Sequence, residues 1–141
     1  MFRLPRLLAG CALALCVATA AVAQTAGEAR YRELRELIRD NLHFTAHLTW
    51  AVTLETIADL RNEVGPDDIT VLVELLGDDD GKVRVAASGL LTTLGEPAIP
   101  ALEAAKDSSD YRVSMAAADA LIRLEECRSN PAGMNPDACP H

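Results

Sequence analysis

Asp80-Gly81-Lys82-Val83-Arg84-Val85-Ala86-Ala87 is echoed thirty residues later by Asp110-Tyr111-Arg112-Val113-Ser114-Met115-Ala116-Ala117. The match continues on both sides. Downstream, Leu91 falls on Leu121 and Leu94 on Leu124. Upstream, Ile69 falls on Ile99, Leu72 on Leu102, and Val64-Gly65 on Leu94-Gly95. A fixed period of this length marks stacked copies of one supersecondary unit, each too small to bury its own apolar face.

Each unit reads as two helices. In the later copy Pro97 suits a first helical position, where its missing N–H costs nothing. Ile99, Leu102 and Ala105 follow at helical spacing, and Ser108-Ser109 make the turn. Asp110 is placed to cap the next helix by accepting hydrogen bonds from its free N–H groups. Val113, Ala116, Ala117, Ala120, Leu121 and Leu124 form the buried stripe of that helix. The earlier copy repeats the design with Asp80 as cap and Val83, Ala86, Ala87, Leu90, Leu91 and Leu94 inside. Gly95 is placed to end that helix.

The run Val83-Arg84-x-Ala86-Ala87-x-x-Leu90-Leu91-x-x-Leu94-Gly95-x-Pro97-Ala98-Ile99-Pro100-x-Leu102 resembles the HEAT-repeat family, in its short variety named after phycobiliprotein lyases. The resemblance covers residues 69–124. It implies an all-α fold: a short α-solenoid of antiparallel helix pairs, about six helices, to which the cysteine reading below adds a disulfide-closed C-terminal loop. It implies a protein-binding surface rather than lyase chemistry. It also implies that Arg84 pairs with acids of adjoining turns. Ser114 departs from the pattern, since the family usually carries Arg there.

Before Gly65 the repeat decays. Residues 29–42 form one amphipathic helix with Tyr31, Leu34, Ile38 and Leu42 on one side. Residues 44–64 begin with the alternation of a strand and end in helical spacing. A long helix is the preferred reading, because its end is in phase with the repeats and no strand partner is nearby. Residues 24–65 are then a degenerate N-terminal cap, 66–95 and 96–125 are the repeats, and 127–141 are a terminal loop. A solenoid needs such caps to cover its open ends.

The chain opens with an export leader. Arg3 and Arg6 precede an apolar run from Leu7 to Val22, and Ala21-Val22-Ala23 is the small-x-small pattern of a cleavage site. The leader spans residues 1–23, with cleavage before Gln24, and the expected location is the periplasm or the exterior. The run is short for a membrane span, so no stable anchor is expected after cleavage. Leu8-Ala9-Gly10-Cys11 matches a lipoprotein box, but most of the apolar run follows it instead of preceding it, so the processed leader is preferred. Cys11 and Cys16 leave with the leader. Cys127 and Cys139 remain, an even pair in an exported chain, which reads as one disulfide.

Net charge is −8, and removing Arg3 and Arg6 with the leader takes it to −10. A surface this acidic disfavours nucleic acid and anionic lipid as partners. His43 and His47 share a helical face and are a candidate metal pair, set against two ordinary polar residues beside a turn. Asp78-Asp79-Asp80-Gly81 looks like part of a calcium loop, but Leu76 and Ala87 stand where an EF-hand needs acids. A solvated turn with one capping Asp is the simpler reading. Glycine loops for phosphate and G-x-S-x-G are absent from the sequence, and no cofactor is expected.

Binding has more support. In a solenoid of this kind the outward positions of the second helices are Val85, Ser88 and Thr92, then Met115, Ala118 and Ile122. With Arg84, the candidate partner-binding residues are Val85, Thr92, Met115 and Ile122. Either a partner protein or the C-terminal loop covers the apolar ones. The expected function is a non-catalytic periplasmic interaction module or scaffold. The alternative is a small metal-binding or enzymatic protein using His43 and His47, which a metal assay distinguishes.

Overall fold

The computed structural model describes the backbone of residues 9–41 and 57–130, with side chains from Gln24 onward. The regular elements described are all helical. They are α1 (Ala9–Asn41), α2 (Ile69–Leu75), α3 (Gly81–Leu94), α4 (Ile99–Lys106) and α5 (Tyr111–Ser129). Residues 57–60 form the end of a further helix. Short 3-10 turns, Pro66–Asp68 and Glu96–Ala98, lead into α2 and α4.

Two hairpins, α2–α3 and α4–α5, stack so that α3 lies on α5 and α2 on α4. From the other side α1 packs across α2 and α3. This is the short helical solenoid that the thirty-residue period predicts. Its core takes Leu72, Leu75 and Leu76 from α2 and the residue that ends it, and Val83, Leu90 and Leu91 from α3. Leu102 comes from α4, Leu34 and Ile38 from α1, and Ile57 and Leu60 from the helix end. Ala86, Ala87, Ala117 and Ala120 are fully buried. Their small side chains let α3 and α5 approach closely.

The caps are as the sequence predicts. Asp80 Oδ1 accepts from the Lys82 amide at 2.9 Å, and Asp110 Oδ1 from the Arg112 amide at 2.9 Å. Both residues are extended, at φ −80°, ψ 114° and φ −78°, ψ 111°. Gly95 ends α3 at φ 74°, a conformation that favours glycine.

Three expectations need correction. Pro97 does not open a helix. It sits in the 3-10 turn, held by the Ala98 amide on the Gly95 carbonyl at 3.0 Å, and α4 begins at Ile99 with Pro100 in its first turn. The first helix does not begin near residue 29. It starts at Ala9, since the preceding run is rich in Ala and Leu and holds no proline. The helix expected over 44–64 ends at Leu60 and gives way to a turn at 61–63. His43, His47 and the rest of 42–56 lie outside the described residues.

The last helix is less enclosed than α3. Ala117, Ala120 and Leu124 are buried, but Val113, Ala116 and Leu121 are only partly so. Their counterparts Val83, Ala86 and Leu91 are fully buried, because α3 has helices on both sides. No helix among the described residues is long and apolar enough to cross a membrane.

Candidate partner-binding face

Val85 on α3 and Met115 on α5 occupy the same position of successive repeats, and Ile122 lies two turns beyond Met115. They are 48%, 51% and 59% exposed, where a solvated helix face would carry polar side chains. Tyr111 adds a fourth large apolar group at 73% exposure. Sequence comparison between repeats passes over Tyr111, because its counterpart is Gly81.

Thr92 does not belong to this face. It is 2% exposed, and its hydroxyl donates to the Ser88 carbonyl at 2.9 Å. Ser88 is also buried, and its Oγ has no hydrogen-bond partner among the described residues. Between them, Gly89 explains the closure. A Cβ there would lie 2.0 Å from Ile57 Cδ1, so the missing side chain is the space that Ile57 fills. The pattern of one helix does not reveal a cover that comes from another.

Arg84 also plays a different part from the one expected. Its Nη1 donates to the Asp78 carbonyl at 2.6 Å and the Asp79 carbonyl at 3.2 Å. It therefore braces the turn through main-chain oxygens instead of pairing with carboxylates. In the next repeat the Ser114 hydroxyl donates to the Lys106 carbonyl at 2.7 Å. Lys106 is the last residue of α4, so serine, standing where the family pattern has arginine, ties α5 to the preceding helix end rather than to the turn after it.

The main polar feature is one the sequence reading misses. Asp78 is not solvated; it is 4% exposed. Its Oδ2 accepts from Arg35 Nε at 2.5 Å and from the Tyr31 hydroxyl at 2.9 Å. Its Oδ1 accepts from Arg35 Nη2 at 3.2 Å and from the Asp80 amide at 2.8 Å. Burial pushes this carboxyl up, but Arg35, the Asp80 amide and Tyr31 outweigh it and hold it below the usual range. Burial and the bond to Asp78 push the Tyr31 phenol up.

A second pair repeats the device. Arg30 Nε and Nη2 donate to Asp68 at 2.7 and 3.1 Å, and the Gly65 amide adds a bond at 3.0 Å. The Arg30 guanidinium holds the Asp68 carboxyl down against its burial. Arg112 then bridges Asp110 and Asp79, joining the turns of successive repeats. The acids that the fold perturbs are thus engaged in structural pairs.

No group of three or more His, Cys, Asp or Glu side chains among the described residues is arranged to hold a metal. Cys127 is buried on the last turn of α5, while Cys139 lies outside the described residues. A family model described as HEAT repeats matches residues 69–141, more than half of the chain. No curated protein and no solved structure matches it.

Proposed function

Because this chain belongs to the HEAT-repeat family, we propose that it is a non-catalytic protein-binding module that works outside the cytoplasm. Repeats of this family generally mediate protein–protein interaction. The observation that carries the reading is the exposure of Val85, Met115 and Ile122, with Tyr111, on adjacent helices of successive repeats. A partner segment with apolar side chains gains by removing that surface from water, at about 25 cal/mol per Å² of apolar area.

Arg3, Arg6 and Ala21-Val22-Ala23 support export with cleavage before Gln24, and the pair Cys127–Cys139 supports an oxidising compartment. The net charge of −8 speaks against nucleic acid as the partner.

The test is co-purification from periplasmic extract with the processed chain and with Met115→Asp/Ile122→Asp. The native chain should retain a defined protein, and the variant should lose it with an unchanged thermal midpoint. Equal retention by both chains would overturn the assignment of this face. A lower melting point in the variant, with no partner on the native chain, would mean instead that the C-terminal segment covers the face.

A further inference from the structure

The leader and the first helix of the fold are one continuous helix, Ala9–Asn41, and the expected cleavage residues Ala21-Val22-Ala23 lie inside it. The anchors of that helix begin further on. Arg30 is tied to Asp68, Tyr31 and Arg35 to Asp78, and Leu34 and Ile38 are fully buried. Gln24, Thr25 and Ala26 are exposed. A Cβ on Gly27 would meet nothing within 4 Å, so packing does not require glycine there. A glycine inside a helix costs about 1 kcal/mol relative to alanine, which makes this turn the weak point between leader and anchors.

The residues after the junction are Gln24-Thr25-Ala26-Gly27-Glu28. Thr-x-x-Glu is the pattern of a capping box. In the uncut helix Thr25 is an interior residue, where no cap is called for. Hydrolysis adds one water across the Ala23–Gln24 amide, leaving a carboxylate on Ala23 and an α-ammonium on Gln24. The helix must then start afresh, and its first N–H groups lose their carbonyl partners.

We propose that residues 24–28 are a latent helix cap that removal of the leader switches on. Thr25 becomes the N-cap, its Oγ1 accepting from the Glu28 amide, and the Glu28 carboxylate accepts from the Thr25 amide. Glu28 also places negative charge at the positive end of the helix, opposing the new α-ammonium. Cutting thus converts a through-running helix into one with a defined start, one turn ahead of its first anchor at Arg30. The inference rests on the export reading.

Hydrogen exchange at the Glu28 amide, measured on the processed chain and on an uncut chain carrying Ala23→Tyr, tests it. In the processed chain Thr25→Ala should speed exchange roughly fivefold, and Thr25→Ser should restore protection. In the uncut chain Thr25→Ala should leave exchange unchanged. Intact mass, taken on the same samples, separates the two failures. A processed chain starting at Gln24 whose exchange ignores Thr25→Ala overturns the cap alone. A native chain that keeps its leader on export, or is lipidated at Cys11, overturns the export reading and the cap with it.

Discussion

Asp78 concentrates more interactions than any other carboxylate described, and its removal should be felt. Asp78→Asn keeps the size of the side chain but surrenders the charge facing Arg35. Loss of charge-assisted bonds at a buried site costs about 2 kcal/mol, read as a lower urea midpoint with unchanged slope. The pH dependence has a definite sign. Asp78 and Asp68 both titrate below their unfolded values, so their contribution is complete above about pH 4 and fades as pH falls through the folded values. Stability should therefore be flat from pH 7 to about 5 and decline below 4, and the decline should be shallower in Asp78→Asn. Gly89 offers a second test. Gly89→Ala gains about 1 kcal/mol in helix propensity but forces a methyl into Ile57, at an overpacking cost of about 1–3 kcal/mol. The net effect should be a loss, and Ile57→Ala in the same chain should cancel part of it in a double-mutant cycle. None of this is legible along the chain. Arg35 and Tyr31 stand 43 and 47 residues from Asp78, outside the repeat, and a glycine at position 89 looks like a blemish until Ile57 is seen beside it.

At the scale of elements the sequence is far more transparent. Asp80, Asp110 and Gly95 mark helix ends through local chemistry, so they can be read without knowing the fold. Thr92 misleads for the converse reason: its helix phase is right, but the cover comes from elsewhere. The partly buried stripe of α5, Val113, Ala116 and Leu121, leaves room for the C-terminal tail to add cover and stability. If Cys127 and Cys139 are joined, the loop they close is worth about 3 kcal/mol in the chain-entropy model. Truncation before Cys127 should lower stability by that amount or more, since it also removes the last turn of α5. Cys127→Ser/Cys139→Ser should reproduce much of the loss, and reduction should match the double variant. Three coincident thermal melts, oxidised, reduced and truncated, would show the tail to be a passive extension.

Across the whole molecule, order comes from repetition and identity from the places where repetition fails. Arg84 braces its turn through two main-chain oxygens, where Ser114 holds only the end of the preceding helix; Asp78 and Ser108 both accept from the amide of the capping aspartate, at 2.8 and 3.2 Å. Only Asp78 is also gripped by α1. The first hairpin is thus fastened on its outer flank by two arginines and a tyrosine, while the last shows its flank half open. Such a chain can be lengthened from within. The backbone passes through Asp80 and Asp110 at nearly the same pair of dihedral angles, so the two are interchangeable seams. Duplicating residues 81–110 and inserting the copy after Asp110 should leave both joints undisturbed. Circular dichroism of that product should show helix content rising by one hairpin, with no fall in melting temperature, because repeat stability grows with each shared interface. A grammar in which one clause can be spoken twice is already written into the two aspartates.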